Sequence, residues 1–131
     1  NAIAPGKRPL SSMTPTIIST PENVAILGTP GGSRIISMVF LGALEYMQGK
    51  PVNDWVSRPR FHHQYLPDLI EHEPDIFSEE QQQALIELGH TLKSTNRQYG
   101  NMQAIFWNKR TGQVQAASDP RGLGSAVVQD K

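Results

Sequence analysis

The sequence predicts an α+β fold in which helices pack on antiparallel strands. Three observations predict it. Apolar and β-branched runs at 16–19 and 24–27 are joined through Pro21-Glu22-Asn23. A mostly apolar stretch at 33–48 follows, closed by Gly49. Two more strand-like runs, at 102–107 and 113–117, flank the turn Lys109-Arg110-Thr111-Gly112.

The elements follow in order. Pro5, Pro9 and Pro15 fix φ and remove donors, so residues 1–15 form extended irregular chain rather than a helix. The runs at 16–19 and 24–27 read as a hairpin. In 33–48, Ile35, Ile36, Met38, Val39, Phe40, Leu41, Leu44 and Met47 occupy most of the circumference. Such a helix is expected to be buried on nearly all sides, under more than one layer. A short helix is predicted at 52–57, after Pro51 and before Pro59, and a short strand at 69–73. Ser78 with Gln81 makes a capping box for a helix to Leu88, closed by Gly89. Its Ala84, Leu85 and Leu88 share one side, leaving Glu79, Glu80, Gln82 and Gln83 solvated. The last two strands lead to a turn at Ser118-Asp119-Pro120-Arg121 and a tail containing Gly122 and Gly124.

Composition narrows the function classes. The 131 residues make one domain or a piece of a larger one. Twelve basic residues balance twelve acidic ones, which gives no support to nucleic-acid or membrane-surface binding. No apolar run approaches the roughly 18–20 residues of a membrane span. The absence of cysteine excludes disulfide and thiolate chemistry. No signal-peptide pattern opens the sequence, and Asn1 in place of Met points to a longer precursor.

Two segments carry the candidate chemistry. Ser11-Ser12 follows the basic Lys7-Arg8 and offers two adjacent hydroxyls to a carboxylate, or is simply a serine-rich turn. Gly31-Gly32 lies between a strand and a helix start. Two residues without Cβ let consecutive N–H groups point at one site beside the helix's positive end, as an oxyanion hole requires. A tight strand-to-helix turn is the plainer account. A phosphate-binding P-loop lacks its lysine here.

Elsewhere structural roles are expected. His62 and His63 in the extended Arg58-Pro59-Arg60-Phe61-His62-His63-Gln64 point to opposite sides, so no metal site is read. Its arginines are expected to pair with carboxylates or cap carbonyls. Asp119-Pro120-Arg121 reads as a salt-bridged turn, and Glu71, Glu73 and Asp75 as a solvated face.

Together these segments resemble the small subunit of the γ-glutamyltranspeptidases, members of the N-terminal-nucleophile hydrolase superfamily. The matching stretches are P-G-K-R-P-L-S-S-M-T-P at 5–15, G-T-P-G-G-S-R-I-I at 28–36, P-R-F-H-H-Q at 59–64, G-N-M-Q-A-I at 100–105 and A-S-D-P-R at 117–121. They stand in the family's order, over essentially the whole chain. The resemblance implies part of a four-layer αββα sandwich, with residues 1–131 as a single-domain C-terminal portion of the small subunit. It implies γ-glutamyl transfer from glutathione-like amides to water, amino acids or peptides. Ser11 and Ser12 would bind the substrate's α-carboxylate, and Gly31 and Gly32 would supply the oxyanion-hole N–H groups. The family's nucleophile is an N-terminal threonine upstream of these motifs, so no nucleophile is expected in this chain, which alone should be inactive. Asn1 is an amide and no substitute, and Thr14 stands where some members carry another serine. The implied partners are the large subunit and the upstream part of the small one, and no cofactor or metal is implied. A periplasmic or extracellular location follows from the resemblance alone. Alternatives are a related amidohydrolase acting on poly-γ-glutamate or a cephalosporin side chain, or a non-catalytic scaffold.

Overall fold

Four of the five predicted strand runs pair into one sheet, and the fifth, at 69–73, falls in a second. Strands β1 (Thr16–Ser19) and β2 (Asn23–Gly28) form the hairpin, and β2 pairs antiparallel with β6 (Gln103–Asn108), which pairs with β7 (Val114–Ser118). This computed structural model describes residues 2–129, so the expectation about Asn1 lies outside the described residues. A second sheet joins β3 (Phe61–Gln64), β4 (Leu69–His72) and β5 (Leu92–Ser94) in that order, with β4 and β5 parallel. The described residues are thus α+β, as the sequence predicts.

Helix α1 (Ile35–Met47) and the short α2 (Val52–Ser57) pack on one face of the four-stranded sheet. Alternation along the strands puts Leu27, Ala104 and Ala117 in one row across that face. The alanines leave room for Val39, Met38, Val56 and Trp55, all buried. Trp55 stacks edge-on against Tyr46 and Phe106, with centroids 5.3 and 6.0 Å apart, and its Nε1–H donates to the Lys50 carbonyl. Gly42 sits where α1 passes Met102, whose Sδ lies 3.1 Å from the place a Cβ would take. Full burial of such side chains stabilises by roughly 1.5–3 kcal/mol each.

One expectation fails. Helix α1 is not buried nearly all round: Ile36, Phe40 and Met47 are 57, 59 and 75% exposed. Among the described residues the large sheet and α2 cover one side of the helix and β3 touches it at Ser37, so the outward stripe stays open. The far face of that sheet is also apolar and open, through Ile17, Ile26, Ile105, Trp107 and Val114.

Helix α3 (Glu79–Glu87) has the predicted capping box, with Ser78 Oγ accepting from the Gln81 N–H and Gln81 Oε1 from the Ser78 N–H. It touches β5 and contains no buried residue, so local capping does much of the work of holding it.

Candidate active-site segments

The antiparallel register decides which loops meet. Thr16 faces Leu27, Gly28 faces Gln103, and Gln103 faces Ser118. The chain before β1, after β2, before β6 and after β7 therefore leaves the sheet at one end. The two candidate segments share that end with residues 99–102 and 119–122. A groove of about 690 Å³ opens there, lined among others by Pro15, Ile26, Pro30, Asn101, Gln103 and Val127.

At Gly31 and Gly32 the backbone takes φ of 154° and 61°, a conformation that favours glycine at both positions. A single 3₁₀ turn, Gly32–Arg34, then leads into α1. Among the described residues the N–H groups of Gly31 and Gly32 have no hydrogen-bond acceptor. They are free donors at the positive end of a 13-residue helix with no acidic residue in its first turn. Such an end attracts negative charge.

Ser11 is exposed and Ser12 half-buried. Ser11 Oγ accepts from the Met13 N–H at 3.2 Å, which shapes the turn, while the Ser12 carbonyl accepts from the Thr14 hydroxyl at 2.9 Å. The Ser12 hydroxyl has no partner among the described residues. No hydrogen bond joins the serines to the glycines; the sheet places both segments at its end without linking them directly.

Arg34, two residues after the glycine pair, is anchored on two sides. It pairs with Glu71, and its guanidinium lies 5.4 Å from the Tyr99 ring centroid. The hydrogen bond from Arg34 holds the Glu71 carboxyl below its ordinary range. In the first turn of α1 the Ser37 hydroxyl donates to His62 Nδ1 at 2.7 Å. Gln64 Oε1 can only accept, so His62 Nε2, 3.1 Å away, carries the proton. This chain ties α1 to β3.

Beneath the loops lies a buried charge network that joins two of the sequence motifs. Asp119 pairs with Arg60 and Arg121, and Arg121 pairs with Glu73. Asp119 Oδ2 accepts from the Met102 N–H at 2.9 Å and Oδ1 from the Arg121 N–H at 3.0 Å. Glu73 accepts from the backbone N–H groups of Arg60 and Tyr99, and Arg60 donates to the carbonyls of Val56 and Tyr99. Burial pushes the Asp119 carboxyl up, but those N–H groups and the Arg60 guanidinium outweigh it and leave it below its ordinary value. Burial lowers Arg121 in the same way, and Glu73 with Asp119 more than restores it. Tyr99 is pushed up to about 12, first by burial and then by the Glu73 charge; its hydroxyl is buried with no partner among the described residues.

The network accords with the pairing expected of Arg60, Asp119 and Arg121, and Arg58 pairs with Glu45. It overturns the solvated face expected around Glu71, Glu73 and Asp75. Glu73 is 1% exposed, because its arginine partner comes from 48 residues away, where helical charge spacing gives no hint of it. His62 is buried while His63 is exposed, on opposite sides of β3. Among the described residues no three His, Cys, Asp or Glu side chains are grouped to hold a metal. Sequence reasoning does not single out Met38, which lies directly behind Gly31, or Gly100, which lies against Met38; an isolated Gly100 after Tyr99 is the one available signal.

The family model described as gamma-glutamyltranspeptidase matches residues 1–129. The glutathione hydrolase proenzyme of Pseudomonas aeruginosa is 38% identical over 133 residues, 98% of this chain and 23% of that protein. Its Escherichia coli counterpart is 38% identical over 94% of this chain and 21% of its own length. The chain therefore spans less than a quarter of each. Among solved structures, a γ-glutamyltranspeptidase from Pseudomonas nitroreducens complexed with L-DON superposes with a TM-score of 0.85 at 39% identity, over 99% of this chain and 68% of that one. The Bacillus anthracis transpeptidase CapD gives 0.84 at 25% identity, over 95% and 75%.

Proposed function

The chain belongs to the γ-glutamyltranspeptidase family and has the fold of its N-terminal-nucleophile hydrolases; from that premise we propose that it is the C-terminal part of a small subunit that transfers or hydrolyses γ-glutamyl groups. The observation that carries the proposal is the pair of free N–H groups at Gly31 and Gly32, presented by positive-φ backbone at the start of α1. When a hydroxyl attacks the γ-amide carbonyl, the oxygen gains charge between those two donors. Removing one such donor typically lowers the rate by about 10²–10³. Ser11 and Ser12, leaving the same end of the sheet, hold the substrate's free α-carboxylate. The amine leaves with a proton, and water or an acceptor amine then takes the acyl group from the enzyme.

In this reading the attacking threonine, whose own amine serves as base, comes from an upstream segment, and the large subunit completes the site. The open apolar faces of α1 and of the sheet support further layers supplied by those parts. The whole protein works in the periplasm or outside the cell. A pair of carboxylate-binding serines favours donors with a free α-carboxylate, such as glutathione, over a cephalosporin side chain.

The test is release of a chromogenic γ-glutamyl amide. The chain alone gives no turnover; addition of the upstream segment and large subunit restores it. Turnover by the chain alone overturns the assignment of the nucleophile, and none from the complete protein overturns the activity.

A further inference from the structure

Gly31 and Gly32 have no side chains by which to be held, so whatever fixes their N–H groups must press on backbone. Met38 does this. It is 1% exposed, and its Cε fills the space a Cβ at Gly31 would need. Its Sδ lies 2.5 Å from where a Cβ on Gly100 would sit, and the same position on Gly100 abuts the Arg60 guanidinium. Arg60 is fixed in turn by Asp119 and by the carbonyls of Val56 and Tyr99. From the donor pair inward the order is Gly31, Met38, Gly100, Arg60, Asp119.

We propose that Met38 is a positioning residue for the oxyanion-hole donors: an unbranched wedge between two glycines whose reach sets where the Gly31 and Gly32 N–H groups point. The inference rests on the reading of those groups as donors to the developing oxyanion. Methionine suits the slot because it is unbranched and flexible along its length. A branched side chain puts carbon sideways, toward the Gly31 and Gly100 backbones. Met38 touches no substrate; it acts through Gly31 alone.

Shortening the wedge opens a void into which Gly31 relaxes. A displacement of about 1 Å in a catalytic group can lower a rate by roughly 10²-fold. In the full-length protein, Met38→Ala lowers kcat for a γ-glutamyl chromogenic amide by about 10- to 100-fold. KM stays within about twofold, because the carboxylate clamp at Ser11 and Ser12 is a separate segment. Met38→Leu, close in volume but branched, loses less than Met38→Ala, and carries the test where the alanine variant does not fold. Gln83→Ala, a polar and exposed position on α3, leaves both constants unchanged.

A second readout isolates the oxyanion. A γ-glutamyl phosphonate, tetrahedral and anionic, loses affinity for the Met38 variants by the same factor as kcat, while an unreactive γ-glutamyl amide analogue binds as before. Equal kcat and phosphonate affinity in wild type and a folded Met38 variant overturn the role of Met38 and leave the donor assignment standing. A wild type that does not prefer the phosphonate over the unreactive amide overturns the donor assignment, and the Met38 inference with it.

Discussion

Replacing Asp119 by alanine should be among the most destabilising changes available in this chain. The carboxylate is 1% exposed and accepts four hydrogen bonds: from the Met102 N–H, the Arg121 N–H, the Arg60 guanidinium and the Arg121 guanidinium. Its removal leaves two guanidinium groups, with side chains 2 and 5% exposed, of which Arg121 keeps the Glu73 carboxylate and Arg60 keeps only carbonyl acceptors. Breaking a buried pair from one side typically costs about 3–5 kcal/mol, since the remaining charge has neither partner nor water. Against a total stability of roughly 5–15 kcal/mol, that is a large fraction. Urea unfolding of the full-length protein, followed by circular dichroism, measures the loss. Amide exchange over 99–103 locates it, because the Met102 N–H loses its acceptor. The double variant Asp119→Ala, Arg60→Met removes the Asp119–Arg60 charges together and should recover a good part of the loss, as coupled neighbours do. A cost below about 1 kcal/mol for Asp119→Ala, or strict additivity in the double variant, would refute the argument.

Other outcomes follow from the same geometry. Ser11→Ala with Ser12→Ala in the complete enzyme should raise KM for γ-glutamyl donors by at least about tenfold, because hydrogen bonds to a charged group contribute roughly 1.5–3 kcal/mol each; an unchanged KM removes the clamp. The Tyr99 pKa of about 12 lies above the value near 10 expected for an exposed tyrosine. The unfolded chain therefore loses that proton first, so stability is kept below about pH 10 and falls as pH rises toward 12. Tyr99→Phe should flatten that alkaline loss, and an unaltered pH profile would show that the loss does not come from this hydroxyl. At the acid end, Glu71 and Asp119 both have depressed values, so their contribution is present above about pH 4 and is lost on further acidification. An Asp119→Asn variant should show a shallower acid slope in thermal unfolding than the wild type.

Much of the fold was legible because local signals decided it. Helix α2 begins after Pro51 and ends before Pro59, and the start of α3 is written in Ser78 and Gln81. β5 was missed because Leu92-Lys93-Ser94 has no alternation to read and exists through its parallel pairing with β4. β3 was read only as an extended segment for the same reason: its strand character comes from facing Leu69 to His72. Of the site, Gly31 and Gly32 could be singled out because backbone freedom marks itself in residue type. What supports them could not. Met38 looked like one apolar residue among eight in its helix, and the partner of Glu73 lay far along the chain. Periodicity tells which face of an element is enclosed; it does not tell which particular side chain ends against which backbone atom.

The way the two sheets are joined has a mechanical consequence. Apolar layers slide over one another with little change in energy, since dispersion and burial have no preferred direction. The joint made by Arg60, Glu73, Asp119 and Arg121 is built from planar forks aimed at carboxylates and carbonyls, and a fork fits at one angle. The small sheet is therefore keyed to the large one at a fixed setting. Any load on β3 or β4 turns the whole unit instead of shearing it, and the loops at the end of the large sheet move with it or not at all.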